Sequence, residues 1–296
     1  MRRRTLLGTL PALAVATATR AQSAPLARRI PSSGESIPAI GLGTWITFNV
    51  GRDPPARAQR VQVMQAFFDA GGRVVDSSPM YGSSQGVVGE GLQRLNAQPR
   101  VFAADKVWTS GDGVAQIEAS RAHWQVPRFD LLQVHNLVAW EKQLALLQSM
   151  KAEGRVRHVG ITTSEGRRHD EIEKILRMHK LDFVQFTYNL VDREVEQRLL
   201  PLARDRGVAV LANRPFQEGA LLRRLQRHPL PAWAGEIGCR HWAQVALKFI
   251  VSHPDVTCAI PATSRVDHLQ QNMGAGLGPQ PDAALRRRMA EHVAAL

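Results

Sequence analysis

From residue 39 onward, short apolar runs alternate with longer amphipathic stretches. Each apolar run is nearly continuous, as expected of a parallel strand that is buried on both faces. Several of the longer stretches end in glycine, which favours the left-handed turn that follows a helix. Eight runs qualify as strands: AIGLGT, RVVDSS, VFAADK, LLQVHN, VRHVGITT, FVQFTYN, VAVLANRP and VTCAI.

Eight strands alternating with eight helices in about 250 residues predict a (β/α)8 TIM barrel, which is an α/β fold. A doubly wound open sheet is the alternative. That fold needs a glycine-rich turn after its first strand, and GLGTWI supplies Gly41 and Gly43 without a third glycine at the required spacing. Since no repeat or low-complexity linker divides the chain, we predict one barrel domain over residues 25–296.

Two stretches depart from the regular alternation. The segment EVEQRLLPLARDRG carries Pro201 within a helical pattern, which predicts a kinked helix. The segment QEGALLRRLQRHPLPAWAGEIG is longer than an ordinary connection. We therefore predict an insertion over one face of the barrel at residues 217–238, followed later by a closing amphipathic helix at the C-terminus.

Residues 1–24, MRRRTLLGTLPALAVATATRAQSA, have the layout of a secretory signal peptide. An arginine-rich start precedes an apolar block that is too short to span a bilayer, so no stable membrane anchor is expected. The RRRTLL run adds a twin-arginine feature and predicts export to the periplasm by the Tat machinery. Cleavage near Ala18 to Ala21 fits the small-residue rule. The alternative, a basic N-terminal arm, is weaker because the apolar block lacks charges.

The net charge of +12 raises the question of nucleic-acid binding. The arginines are spread along the whole chain and mixed with acidic residues, without a basic stripe or a nucleic-acid-binding motif, so we expect no nucleic-acid partner. Cys239 and Cys258, the two cysteines, do not have metal-ligand spacing. One disulfide is possible from their number, but Cys258 lies in an apolar run and is favoured as a free buried thiol.

Polar residues of distinct chemistry follow three neighbouring strands. Asp76, Lys106 and His135 stand at consecutive strand ends, and Tyr81 lies in the loop beyond Asp76. Taken singly, they could be a turn cap, a solvated strand end, a core histidine and a packing tyrosine. Because the carboxyl ends of barrel strands meet at one rim, the four together predict an active site.

These four groups suit the reduction of a carbonyl. A phenol with a pKa near ~10 is a weak acid at neutral pH, and a nearby ammonium is expected to lower its pKa. A carboxylate would hold the ammonium, and a neutral imidazole would orient a carbonyl oxygen. No side chain donates hydride, so a nicotinamide cofactor is implied. No metal is expected, because no histidines or cysteines have zinc-ligand spacing.

From about Ile40 to Asn272, the sequence resembles the aldo-keto reductase superfamily. The resemblance rests on GLGTW, VVDSSPMYGSSQGVVGEGL, DK, DLLQVHN, GRVRHVGITT, FVQFTYN and IPATSRVDHLQQN. It implies a catalytic tetrad of Asp76, Tyr81, Lys106 and His135. In that family the tyrosine is the general acid, the lysine and aspartate tune it, and the histidine orients the carbonyl.

The resemblance also implies a set of cofactor contacts. Thr162 and Thr163 take the place of the Ser-Asn pair that holds the nicotinamide amide, and Asn213 takes the place of the aromatic residue that stacks on the ring. Ala262 and His268 replace a usual lysine and arginine, yet the TSR sequence favours NADP (as NADPH) over NAD. The implied cofactor-binding residues are Gly43, Thr44, Thr162, Thr163, Gln185, Asn213, Arg214, Thr263, Ser264, Arg265, Gln271 and Asn272.

The leading functional prediction is an exported NADP-dependent enzyme that reduces a small-molecule aldehyde or ketone. A second reading is an exported, nicotinamide-bound sensor or binding protein with little turnover, because no large NADPH pool is expected outside the cytoplasm. In a third reading, a retained cofactor cycles between two substrates.

Overall fold

A computed structural model describes residues 25–296 of the chain. The predicted signal peptide, residues 1–24, lies outside the described residues, so export stays a prediction. Within residues 25–296, no helix combines the length and the apolar character needed to cross a membrane.

The described chain begins with a small antiparallel hairpin that the sequence patterns do not predict. Its strands are β1 (Ala27–Arg29) and β2 (Ser36–Pro38). Ile30 and Ile37 of this hairpin are fully buried and pack against apolar residues of the barrel interior, including Val74 at the start of a barrel strand. The hairpin therefore covers the end of the barrel at which the strands begin.

Eight parallel strands follow and confirm the predicted (β/α)8 TIM barrel. They pair in chain order, each with its sequence neighbour. Parallel bridges from Ile40 to Ala259 and from Gly43 to Ala262 join the first of these strands to the last. The strands are β3 (Leu42–Gly43), β4 (Val74–Asp76), β5 (Phe102–Val107), β6 (Phe129–His135), β7 (Val156–Thr162), β8 (Phe183–Thr187), β9 (Ala209–Asn213) and β10 (Cys258–Ala259).

The first and last barrel strands approach closely at Gly43. A Cβ atom there would lie 2.6 Å from the carbonyl oxygen of Ile260, a distance that backbone atoms cannot accommodate. The Gly43 amide instead donates a hydrogen bond of 2.9 Å to the Pro261 carbonyl. Glycine is thus required at this point by the closure of the barrel.

Helices follow the strands around the barrel. Two short helices lie in the predicted insertion, and the last helix of the chain is the predicted closing helix. The helices are α1 (Pro54–Asp69), α2 (Ser84–Arg94), α3 (Gly113–Trp124), α4 (Trp140–Ala152), α5 (His169–Met178), α6 (Leu199–Asp205), α7 (Ala220–Leu225), α8 (Trp233–Glu236), α9 (Trp242–Val251), α10 (Val266–Gly274) and α11 (Ala283–Ala294).

The predicted kinked helix around Pro201 is wrong. A short 3-10 turn at Glu194–Glu196 precedes α6, which begins only at Leu199. Pro201 therefore lies in the first turn of α6, where backbone amides have no intrahelical acceptor and the missing N–H costs nothing.

A buried polar network fixes the closing helix to the barrel. Arg286 of α11 donates hydrogen bonds to the hydroxyl of Tyr188, at 2.6 Å, and to Glu196, at 2.9 Å.

Cys239 and Cys258 are both buried and free, which is the state that the sequence analysis favours for Cys258. Burial raises the pKa of the Cys239 thiol to about 11.

Candidate active site

Asp76 and Lys106 form an ion pair at the carboxyl ends of β4 and β5. The Lys106 Nζ atom lies 2.5 Å from Asp76 Oδ2 and 2.8 Å from the Ser77 carbonyl oxygen. Both side chains are almost completely removed from solvent. Burial is the largest single effect and would favour the neutral amine, but the charge and hydrogen bond of Asp76, together with Tyr81 and Asp105, outweigh it, so the pKa of Lys106 is raised. The lysine is therefore a fixed ammonium.

Tyr81 lies directly above this ion pair. It ends a 3-10 turn, Pro79–Tyr81, and Gly82 then adopts a positive φ of 59°. Lys106 Nζ lies 5.2 Å from the centroid of the tyrosine ring, and the Trp45 ring lies 4.9 Å away on another side. The structure therefore places Tyr81 beside Lys106, at the rim where the sequence analysis expects it.

The direction of the Tyr81 pKa shift differs from the sequence-based expectation. Burial of the phenol is the largest effect and raises its pKa, and the charge of Lys106 offsets only part of that rise while Asp76 adds to it. The net pKa is above 10.0 rather than below it. An acid of this strength is fully protonated at neutral pH, with a cation beside it that stabilises the phenolate when the proton leaves.

His135 completes the group from the end of β6. Its ring meets the Tyr81 ring edge-on, with centroids 5.6 Å apart. Its Nδ1 atom lies 2.7 Å from the hydroxyl oxygen of Ser78. Burial, aided by the charge of Lys106, lowers the pKa of His135 well below 6.5. The imidazole is therefore neutral at physiological pH, as the sequence analysis expects.

The second carboxylate oxygen of Asp76 contacts two glutamines. The sequence analysis assigns one of them, Gln185, to the cofactor and does not identify the other, Gln133. Gln185 donates to Asp76 Oδ1 at 3.0 Å, and Gln133 approaches the same atom at 3.5 Å. The Gln185 amide oxygen accepts from Thr162 and from Asn213, each at 3.3 Å. Gln133 could have been found from the sequence, because it lies two residues before His135 and so on the same face of β6.

Hydrogen bonds hold the side chain of Asn213 at the rim of the barrel. Its Nδ2 atom donates to the carbonyl oxygen of Thr163 at 2.8 Å, and its Oδ1 atom accepts from the Thr187 hydroxyl at 2.8 Å. The sequence analysis expects Thr163 to contact the cofactor, but its side chain does not line the cavity. Its hydroxyl is buried without a hydrogen-bond partner among the described residues. Its backbone takes part in the network instead, because the carbonyl accepts from Asn213 and the amide donates to the Gln185 carbonyl at 3.0 Å.

A cavity of about 470 Å³ runs from the mouth of the barrel towards α10. This volume lies in the range of small-molecule and cofactor sites. Lys106 lies behind the cavity wall, in contact with Asp76. Of the predicted site residues, the following line the cavity: Gly43, Thr44, Asp76, Tyr81, His135, Thr162, Gln185, Asn213, Arg214, Thr263, Gln271 and Asn272.

The end of the cavity near α10 is less cationic than the sequence predicts. The guanidinium of Arg265 is paired with Asp267, with Nε 3.0 Å from Oδ1 and Nη2 2.5 Å from Oδ2. Neither Arg265 nor Ser264 lines the cavity, whereas Ala262 and His268 do. The Arg265 prediction overlooked Asp267, which competes for the guanidinium from the first turn of α10.

Arg214 joins two loops at the opposite side of the cavity. Its Nη1 atom lies 3.3 Å from Glu165, in the loop after β7, and 2.5 Å from Glu218, in the loop after β9. In the predicted insertion, α7 contributes Arg223 to the same wall. The insertion therefore shapes the cavity, although the sequence did not say which of its residues would reach it.

Within residues 25–296, no group of three or more histidine, cysteine, aspartate or glutamate side chains is placed to hold a metal ion. The polar groups around Tyr81 and His135, together with the amides and hydroxyls towards α10, fit a long polar cofactor rather than a metal centre.

Comparison with known proteins identifies the family. The sequence model of the Aldo/keto reductase family matches residues 39–287. Methylglyoxal reductase YeaE of Escherichia coli is 31% identical over 258 residues, which are 83% of this chain and 88% of that protein. The NADH-specific methylglyoxal reductase of Escherichia coli is 27% identical over 236 residues, 66% of this chain and 68% of that protein.

Solved structures agree with the sequence comparison. An aldo/keto reductase from Klebsiella pneumoniae, in complex with NADP and acetate, has a TM-score of 0.74 at 25% identity and covers 88% of this chain and 93% of its own. The family match spans the barrel and all four converging side chains. The chain therefore belongs to the aldo/keto reductase family, the NAD(P)H-dependent oxidoreductases.

Proposed function

We propose that this enzyme reduces aldehydes or ketones to alcohols with NADPH, and that Tyr81 is the general acid. The observation that carries the proposal is the position of Tyr81 between a buried Asp76–Lys106 ion pair and a neutral His135. A protonated phenol and a neutral imidazole thus face one cavity, with a fixed cation behind the phenol.

Each residue has a distinct role in the proposed reaction. A bound nicotinamide cofactor would supply hydride to the carbonyl carbon. Tyr81 gives its proton to the carbonyl oxygen, and the charge of Lys106 stabilises the phenolate that remains. Asp76 holds the lysine through Oδ2. His135 orients the carbonyl oxygen beside the phenol.

The proposed substrate class is small carbonyl compounds. Trp45, Ile46 and Met80 give the cavity an apolar mouth around Tyr81. Arg214 is neutralised by Glu165 and Glu218, so it offers no free positive charge to an anionic substrate. Two relatives from Escherichia coli are named as methylglyoxal reductases, and we propose methylglyoxal as the first substrate to test.

For the cofactor, we propose that the nicotinamide end lies near Gln185, Thr162 and Asn213, and the adenosine end near α10. Thr263, Gln271 and Asn272 line that end and offer hydroxyl and amide groups. NADPH is proposed because the Klebsiella pneumoniae structure contains NADP. The Arg265–Asp267 pair weakens the preference, so NADH is expected to serve as a poorer hydride source.

We further propose that the enzyme acts in the periplasm after export by the Tat machinery. Folded proteins with bound cofactors are the cargo of that route, so the cofactor would be loaded before export. A nicotinamide-bound sensor is the second candidate function. The bridge that Arg214 makes between the loops after β7 and β9 favours it, because both loops border the cavity and their connection would slow cofactor release.

The test is a screen of small carbonyl compounds with purified protein lacking residues 1–24, while nicotinamide absorbance is followed. Methylglyoxal-dependent oxidation of added NADPH would support the reductase. Cofactor that survives dialysis and undergoes no redox change with any carbonyl or alcohol would instead support the sensor. Turnover of two substrates without added cofactor would support a retained, cycling cofactor.

A further inference from the structure

Ser78 lies at the centre of the candidate site, yet the function proposed above assigns it no role. Its side chain is fully buried. It precedes the 3-10 turn that carries Tyr81, and its Oγ atom accepts a hydrogen bond of 3.2 Å from the amide of Met80. The same Oγ atom lies 2.7 Å from His135 Nδ1.

The proton of the Ser78 hydroxyl has one available acceptor. The Met80 amide is a donor, so it occupies a lone pair of Oγ and takes no proton. Among the described residues, the other hydrogen-bond partner of Oγ is His135 Nδ1. A buried hydroxyl whose proton has no acceptor is destabilising, because it has lost its hydrogen bond to water without a replacement. Ser78 therefore donates to Nδ1.

This donation decides where the imidazole carries its own proton. Nδ1 must be the acceptor, so a neutral ring is protonated at Nε2. His135 is kept neutral by burial and by the charge of Lys106. The ring lines the cavity beside Tyr81, so its Nε2–H group is available to a carbonyl oxygen that receives the tyrosine proton.

We infer that Ser78 is a positioning residue that fixes His135 in the Nε2–H tautomer, which makes the imidazole a hydrogen-bond donor to the substrate carbonyl. The inference rests on the proposed reductase function for its kinetic consequence. The tautomer itself is a property of the protein without substrate. The competing explanation is that Ser78 only caps the turn through the Met80 amide.

The direct experiment is ¹⁵N NMR of protein labelled at histidine, which distinguishes the two neutral tautomers. The chain has ten histidines, so His135→Asn serves to assign the signal. The expected result is an Nε2–H tautomer in the wild-type protein and in Ser78→Thr, which keeps the hydroxyl. In Ser78→Ala, we expect the signal to move towards a mixture of both tautomers.

The kinetic experiment uses the same variants with NADPH and a small aldehyde. Ser78→Ala is expected to lower kcat by roughly tenfold, the effect of losing one hydrogen bond that acts in the transition state, while the Kd for NADPH stays unchanged. Ser78→Thr should restore most of kcat. Ser149→Ala is the matched control, because its exposed hydroxyl donates to Glu153, the residue that follows α4.

Three results would overturn the inference. The first is an Nδ1–H tautomer in the wild-type protein. The second is a Ser78→Ala variant with the wild-type tautomer, because the serine would then act only as a turn cap even if activity fell. The third is a changed tautomer with unchanged kcat. If no carbonyl is reduced by the wild-type protein, the proposed function fails, while the NMR result still decides whether Ser78 fixes the tautomer.

Discussion

Lys106 and Asp76 face each other inside the barrel, with Nζ 2.5 Å from Oδ2, and neither side chain has appreciable contact with solvent. A buried ion pair of this kind is costly to break on one side only, because the remaining charge has no compensation. The pair therefore has to be intact both for the stability of the barrel and for the acidity of Tyr81.

Asp76→Asn should lower both stability and activity. The variant leaves the Lys106 ammonium buried without the charge of Asp76 and with only neutral acceptors, such as the Ser77 carbonyl, as partners, so we expect a loss of about 3–5 kcal/mol in the free energy of unfolding. Urea denaturation followed by circular dichroism measures it. Arg94→Met, which removes an exposed contact with Glu90, is the control and should have little effect. A wild-type denaturation midpoint in Asp76→Asn would contradict the prediction.

The pH dependence of carbonyl reduction should be flat through neutrality. The pKa of Tyr81 is raised above 10.0, so the phenol stays protonated and competent until strongly alkaline pH. The pKa of His135 is lowered below 6.5, so the imidazole stays neutral above that value. Initial rates at low aldehyde concentration give kcat/KM across the range. Alcohol oxidation needs the phenolate and should rise with pH. An alkaline loss of reduction centred between pH 7 and 9 would contradict this.

Asp105 should make the protein less stable as pH rises. Its side chain is fully buried and accepts from Gln85 at 2.7 Å, and burial raises its pKa from 3.8 to about 7. Because the folded-state pKa exceeds the unfolded-state value, the stabilisation is complete below pH 3.8 and is lost as pH rises through about 7. Asp105→Asn should remove this contribution.

The measurement for Asp105 is Tm at pH 6 and pH 8. The Tm change between these values in the wild-type protein, minus the change in Asp105→Asn, isolates the carboxyl from other titrating groups. We expect the wild-type protein to lose more Tm towards pH 8 than the variant does. Equal changes in the two proteins would show that Asp105 is already ionised below pH 6.

Asp267 should set the affinity for NADP. The guanidinium of Arg265 is paired with Asp267 and does not line the cavity, so Asp267→Asn should free it for a 2′-phosphate. We expect the Kd for NADP to fall roughly threefold to tenfold, as for one added charge-assisted hydrogen bond, with the Kd for NAD unchanged. Tryptophan fluorescence titration measures both. An equal change for NADP and NAD would mean that the pair does not discriminate the phosphate.

The barrel, and the convergence of four residues at its rim, could be predicted from the sequence for one physical reason. Parallel strands buried on both faces form continuous apolar runs, and their carboxyl ends must meet at one rim. Asp76, Lys106 and His135 stand at three such ends, and Tyr81 follows the first of them. Strand alternation alone then brings the groups together before any side-chain detail is known.

Other features depend on interactions that a linear pattern does not show. The β1–β2 hairpin lies in ARRIPSSGESIP, which has no apolar run, and its burial depends on the open end of the barrel that it covers. The sequence analysis expects Arg265 to bind a phosphate, but in the structure its guanidinium is paired with Asp267. The net direction of the Tyr81 pKa shift depends on how deeply the phenol is buried, which only the folded structure gives.

The most direct test of the account is the activity of Tyr81→Phe with NADPH and methylglyoxal. The substitution removes the proposed proton donor and keeps the ring that packs against Trp45. We predict that kcat/KM falls by on the order of 10²-fold or more while the Kd for NADPH is unchanged. A kcat/KM of Tyr81→Phe equal to that of the wild-type protein would contradict the assignment of Tyr81 as the general acid.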